Sequence, residues 1–249
     1  MGYIELYFLY FVIYSVAGWV YETIICSVYE RRFVNRGFLN GPYCPIYGTG
    51  AVLNLLLLGR LKNPFLIFFF AALACTVLEY FTSWLMEKMF HARWWDYSEM
   101  KYNINGRVFL LGTVVFGLMS VLELVVVHPR VESLVLRIPE NYRHMAAFLM
   151  FSIILTDTVY TVTRLSEFDE LLRTAAEKID LALQALRSKY ETAGAAYPEV
   201  FIKINRQIRR TIASFPKFRS TRHNDMLKKL RELLRLEKIL GDTSRKKEK

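Results

Sequence analysis

Only 3 of the 249 residues are cysteine and only 4 are histidine, and none falls into a paired metal spacing. Cys26, Cys44 and Cys75 lie within or beside apolar runs. A disulfide scaffold and a zinc site are therefore both disfavoured, and the thiols read as small buried side chains. No G-x-x-x-x-G-K-[ST] occurs, so the chain carries no phosphate-cradling ATPase loop of its own. No G-x-S-x-G or H-E-x-x-H occurs either, which leaves an enzyme reading without a catalytic spacing. No cofactor and no metal are expected. The opening segment has Glu5 and no basic n-region, and so reads as a first spanning helix rather than a cleaved signal peptide. Charge is scarce over most of the chain: residues 1–163 hold 12 Lys+Arg against 11 Asp+Glu, whereas residues 164–249 hold 21 against 12. Nearly all of the net +10 belongs to the tail.

What the chain has instead is apolar length. The 53% apolar fraction is gathered into runs, the pattern of an all-α, polytopic helical membrane bundle. Five segments stand out: Tyr3 to Val28, Pro45 to Leu58, Pro64 to Met86, Val108 to Val127 and Met145 to Val162. A span needs about 20 apolar residues, so the second is the short one, and it reads as either spanning or re-entrant. Five spans with the tail in the cytoplasm put the N-terminus outside. The inner loops then carry Arg31, Arg32, Arg36, Lys88, Arg93, Lys101 and Arg107. The outer loops carry Arg60, Lys62, Arg130, Arg137 and Arg143, in keeping with the positive-inside bias. Residues 1–163 thus form a transmembrane domain and residues 164–249 a cytoplasmic helical tail.

The tail repeats apolar residues at three- and four-residue steps: Leu165, Phe168, Leu172, Ala175, Ile179, Leu183, Leu186 and Tyr190, then Phe201 to Phe215, then Leu227, Leu230, Leu234 and on to Leu240. Gly194, Pro198 and Pro216 punctuate it. These are amphipathic helices whose apolar faces require cover. Their basic charge, joined to a membrane bundle, points to lipid headgroups or a protein partner rather than to nucleic acid.

Besides Glu5 near the start, four carboxylates sit in the apolar segments: Glu22, Glu79, Glu123 and Asp157. Each costs about 2.5–3.5 kcal/mol at a helix centre, so each is expected to face the bundle interior with a partner. Position along the spans groups Glu22, Glu79 and Asp157 with the arginines of the first loop, and leaves Glu123 apart. The loop N-R-G-F-L-N-G-P-Y-C-P-I-Y-G-T-G-A brings irregular backbone to membrane depth. Such backbone is tolerated only where protein or a water-filled cavity satisfies it. The polar site is therefore expected at Glu22, Arg36, Asn40, Tyr43, Tyr47, Glu79 and Asp157. An alternative is a set of interhelical pairs with no site at all. The loop from Met86 to Arg107 mixes rings and charges; Trp94, Trp95, Tyr97 and Tyr102 suit the headgroup layer.

The stretches G-W-V-Y-E, N-R-G-F-L-N-G-P-Y-C-P-I-Y-G-T-G-A, L-E-Y-F-T-S-W-L-M-E-K-M-F-H-A-R-W-W-D-Y-S and N-I-N-G-R resemble the bacterial membrane family that carries the label ABC-transporter type IV, over about residues 15–128. The resemblance implies a multi-pass inner-membrane protein that serves as a transporter permease component, with ATP hydrolysed by a separate subunit. The positions it carries over are Glu22, Arg36, Asn40, Pro42, Pro45, Tyr47, Glu79, Glu87, Arg93, Trp95, Asp96, Asn105 and Gly106. The basic tail is the docking candidate for that subunit.

Three functions compete. A permease-like transport component moves a solute past Glu22 and Glu79. A scaffold or regulator assembles with itself or a partner through the tail, as a homo-oligomer in the first case. An intramembrane enzyme on a lipid-linked substrate uses Glu87, His91 and Asp96, with Arg93 and Arg107 on phosphate. The first is preferred.

Overall fold

The computed structural model describes residues 2–174 and 206–247. The tail stripe expected over residues 175–205 lies outside the described residues. The chain divides into two compact units, one of Met1–Leu85 and Trp95–Val162, the other of Met86–Trp94 and Thr163–Lys249.

The first unit is helical. Helix α1 covers Gly2–Glu30, α2 Pro45–Leu58, α3 Pro64–Phe90, α4 Leu110–Leu122, α5 His128–Leu136 and α6 Glu140–Ser166. Four helices are long and apolar enough to cross a membrane: Tyr3–Glu30, Pro64–Phe90, Leu110–Leu136 and Glu140–Glu170. The chain is a multi-pass membrane protein. The expected fifth spanning helix is not found in that form: α2 has 14 residues, a length of about 21 Å against the ~30 Å of a hydrocarbon core.

A segment of extended backbone precedes α2 and follows α1 back along its own length. The Val34 amide donates to Ser27 Oγ (2.9 Å), the Arg36 amide to Thr23 Oγ1 (3.3 Å) and the Cys44 amide to the Ser15 carbonyl (2.8 Å). α2 then continues beside the N-terminal half of α1, with Ala51 in the same buried cluster as Leu9, Tyr10 and Tyr14. Glycine permits this closeness. A Cβ on Gly48 would lie 2.3 Å from the Phe11 carbonyl oxygen, and one on Gly18 would lie 2.3 Å from the Tyr47 ring. Pro45 at the first turn of α2 starts the helix without costing a hydrogen bond.

The fourth apolar segment runs on past its expected end at Val127. A π turn over Glu123–Val127 joins α4 to α5. Pro129 supplies the reason: proline has no amide hydrogen and its ring clashes with the carbonyl four residues back. The wider turn, closed by the His128 amide on the Glu123 carbonyl, absorbs both defects without ending the helix.

Between α3 and α4 in this unit lies a small hairpin, β2 (Asn103–Ile104) against β3 (Val108–Phe109). Asn105 (φ 52°) and Gly106 (φ 66°) both take left-handed backbone at its turn, the conformation that an Asn-Gly pair adopts at little cost.

In the second unit, β1 (Ala92–Arg93) pairs antiparallel with β4 (Arg219–Ser220). Helices α7 (Phe168–Thr174), α8 (Arg206–Ser214) and α9 (Asn224–Lys247) accompany them. The predicted stripe is buried at Leu165, Phe168, Leu172, Ile208, Ile212, Phe215, Leu227 and Leu230, and Leu233 rather than Leu234 completes it. Trp94, expected among headgroups, is instead buried at 3% exposure against Phe90 and Phe218 (ring centroids 5.2 and 5.1 Å).

The glycine contacts generate a paired prediction. Gly48→Ala pushes a methyl into backbone and is expected to cost about 1–3 kcal/mol. Gly50→Ala, whose Cβ would meet nothing nearer than 3.7 Å, is expected to be neutral. Thermal melting of the two variants in detergent checks this.

Candidate functional site

Apart from Glu79, the sequence-predicted polar residues fall into two separate hydrogen-bonded groups within the first unit. In the first, Glu22 on α1 pairs with Arg36 of the extended segment (Oε2 to Nε, 3.3 Å), and its other oxygen accepts from the Tyr47 hydroxyl on α2 (2.8 Å). The Trp19 indole donates to Asn35 (2.8 Å), tying the same stretch to α1.

In the second group, Asp157 on α6 receives most of the turn that feeds α2. Its Oδ1 accepts from the Asn40 amide (3.1 Å) and the Asn40 side chain (2.8 Å). Its Oδ2 accepts from the Gly41 amide (2.8 Å) and the Tyr43 hydroxyl (2.6 Å). Thr161, one turn on, also donates to Oδ1 (3.2 Å). The expected grouping of Asp157 with Glu22 and the first-loop arginines is corrected by these contacts. Asp157 binds two amides, a carboxamide and two hydroxyls, and so supplies the acceptors for this non-helical turn.

Glu79 on α3 is buried at 7% exposure, with the Tyr97 hydroxyl as a hydrogen-bond partner. Burial pushes the Tyr97 phenol well above its usual range, so it faces the carboxyl as a donor. Glu123 does not stand apart, as its position along the chain suggests. It and Glu79 line one cavity of about 230 Å³, bounded by α1, α2, α3 and α4. Tyr47 lines it too, so the ring that holds Glu22 is also part of this wall.

The remaining wall was not anticipated: Asn54 on α2 donates to Ser120 Oγ (2.9 Å) and to Glu123 Oε2 (3.2 Å). An asparagine inside a short apolar helix was the available signal, with Ser120 and Glu123 three apart on one face of their own helix.

The loop residues have local partners. In the second unit, Glu87 pairs with Arg93 (2.5 Å), and the His91 carbonyl accepts from the Thr221 amide and hydroxyl (both 2.9 Å). In the first unit, the Trp95 indole donates to the Arg107 carbonyl (3.0 Å), and Asp96 Oδ1 accepts from the Ser98 amide and hydroxyl (3.1 and 2.6 Å). The Asn105 side chain donates to the Tyr80 hydroxyl (3.0 Å). Arg107 is buried, reaching Ser83 (3.4 Å) and lying over the Tyr80 ring. These contacts build the hairpin and the β1 turn. They do not leave Arg93 and Arg107 placed as an open phosphate receptor. Among the described residues no group of three or more His, Cys, Asp or Glu could hold a metal ion.

The glycine- and proline-rich segment, the tyrosine–glutamate contact and the N-G hairpin all lie within residues 9–162, which match the model of the family described as Putative ABC-transporter type IV. The chain belongs to this family. The match takes in every polar-site residue described above. Comparison with curated proteins found no match, and comparison with solved structures found none.

Asp157→Asn keeps the shape but replaces one accepting oxygen with a donor that faces the Gly41 amide and the Tyr43 hydroxyl. The expected cost is about 1–3 kcal/mol. A double-mutant cycle with Tyr43→Phe should give strongly non-additive melting shifts, since both changes remove the same contact.

Proposed function

We propose that this protein is a permease-like component of a membrane transport system, with its polar intramembrane site at the Glu79–Glu123 cavity and the adjoining Glu22–Arg36–Tyr47 cluster. One observation carries the reading. Two buried carboxylates from different helices line one half-open cavity of about 230 Å³, an arrangement with a standing energetic cost in a bundle that only had to be stable. Membership of the ABC-transporter type IV family supports it, and so does the broken second segment, because irregular backbone at membrane depth marks substrate pathways in transporters.

In this reading the extended segment and α2 together make the second crossing. The descent of the segment from Ser27 to Ser15 covers about 18 Å of α1, and α2 adds the rest. The N-terminus then lies outside and the tail in the cytoplasm, as the loop charges favour. ATP is hydrolysed by a separate subunit, for which the basic tail is the docking surface.

The scaffold reading is less favoured. It needs an uncovered apolar stripe on the tail, whereas the described stripe of α7, α8 and α9 is buried within its own unit.

Affinity purification from native membranes tests the proposal. An ATP-binding subunit is expected to co-purify, and to be lost when residues 165–249 are deleted. Glu22→Gln is expected to abolish transport by the reconstituted complex while the protein still elutes as a folded species. A chain that purifies alone, or transport that is unchanged by Glu22→Gln, would overturn the reading.

A further inference from the structure

We propose that the cavity binds a small lipophilic organic cation, an amine or quaternary ammonium about one aromatic ring in size, with Glu123 and Glu79 as its counter-charges. The inference rests on the cavity being the site of the preceding section and adds the chemistry of its ligand.

Sign comes first. Both charge-bearing groups in the wall are acids, and no lysine, arginine or histidine is among the lining residues. Glu22, close by, already has Arg36. Glu123 is 9% exposed, and while its Oε2 accepts from Asn54, its Oε1 has no hydrogen-bond partner. A carboxylate bordering a low-dielectric cavity attracts a cation and repels an anion.

The wall then decides which cation. A hard metal ion needs about six oxygen ligands to replace its water. The cavity supplies two carboxylates, Asn54 and Ser120 amid apolar side chains, and no three-ligand metal group occurs among the described residues. Aromatic rings do line it, from Tyr14, Tyr21, Tyr47 and Phe116. Ring faces attract alkylammonium groups without having to replace a tight hydration shell. Size sets the upper limit, since an apolar cavity of about 150 Å³ accepts benzene and this one is about 230 Å³.

The backbone at Glu123 fits the same role. The π turn that accommodates Pro129 begins at this residue, and such turns are frequent at functional sites.

The test is isothermal titration of the full-length protein in non-ionic detergent with phenyltrimethylammonium. Its uncharged isostere tert-butylbenzene and the anion benzenesulfonate serve as controls, with empty micelles subtracted. Saturable binding of the cation alone is expected, weakened at least about tenfold by Glu123→Gln and also by Glu79→Gln. Equal binding of the three probes, or no saturable binding of the cation, overturns the proposal. So does undiminished affinity in a folded Glu123→Gln protein. Should that variant not fold, discrimination between cation and isostere by the unaltered protein decides alone.

Binding needs neither partner nor transport. A protein that binds the cation but moves no solute would keep this inference and overturn the permease reading. Transport of a solute by the complex with no cation binding would do the reverse.

Discussion

Much in the bundle depends on how the extended backbone between α1 and α2 obtains its hydrogen bonds. Lipid offers none, and each unsatisfied amide there costs several kcal/mol. Asp157 answers part of that demand, with one carboxylate taking the amides of Asn40 and Gly41, the Asn40 side chain and the Tyr43 hydroxyl. Thr23, Ser27 and the Ser15 carbonyl of α1 take the amides of Arg36, Val34 and Cys44. A charged group in a spanning helix is in this case the means by which a non-helical segment is held against it. The carboxylate's own desolvation is offset by five donors, an exchange that favours charge-assisted hydrogen bonds.

The same segment positions the cavity. Once Cys44 is tied to Ser15, α2 must start beside the middle of α1. Gly18 and Gly48 let the two helices close to a distance that any side chain at either position would prevent. Tyr47 is thereby directed between them, with its hydroxyl on Glu22 and its ring on the cavity. The cavity persists because its neighbours cannot relax into it: Asn54 is fixed by Ser120 and Glu123, and the π turn is fixed by Pro129. Stability of the fold and openness of the site thus arise from the same contacts.

The second unit follows soluble-protein rules. Trp94, Phe168 and Phe218 share one apolar core with the stripes of α8 and α9, and the β1–β4 pairing closes it with four backbone residues. Residues 86–94, which in sequence read as part of a membrane connector, belong to this core. The amphipathic periodicity of the tail was legible, but what covers its apolar face was not. That cover comes from a short segment more than a hundred residues upstream.

Apolar run length marked five segments, four of which are helices able to cross a membrane, because the cost of burying charge in lipid leaves so distinct a pattern in composition. The Gly/Pro punctuation before Pro45 likewise disclosed a broken second segment, and the rarity of acids among apolar residues marked Glu22, Glu79, Glu123 and Asp157 as the groups to explain. Which of those acids meet was decided only in three dimensions. Distance along a helix axis placed Glu123 apart and Asp157 beside Glu22. Helix rotation and the close approach of α2 brought Glu123 to the same cavity as Glu79, and turned Asp157 towards the Asn40 turn instead. Rotation about a helix axis is set by packing between helices, and in lipid, where nearly every outward residue is as apolar as the inward ones, sequence periodicity carries little trace of it.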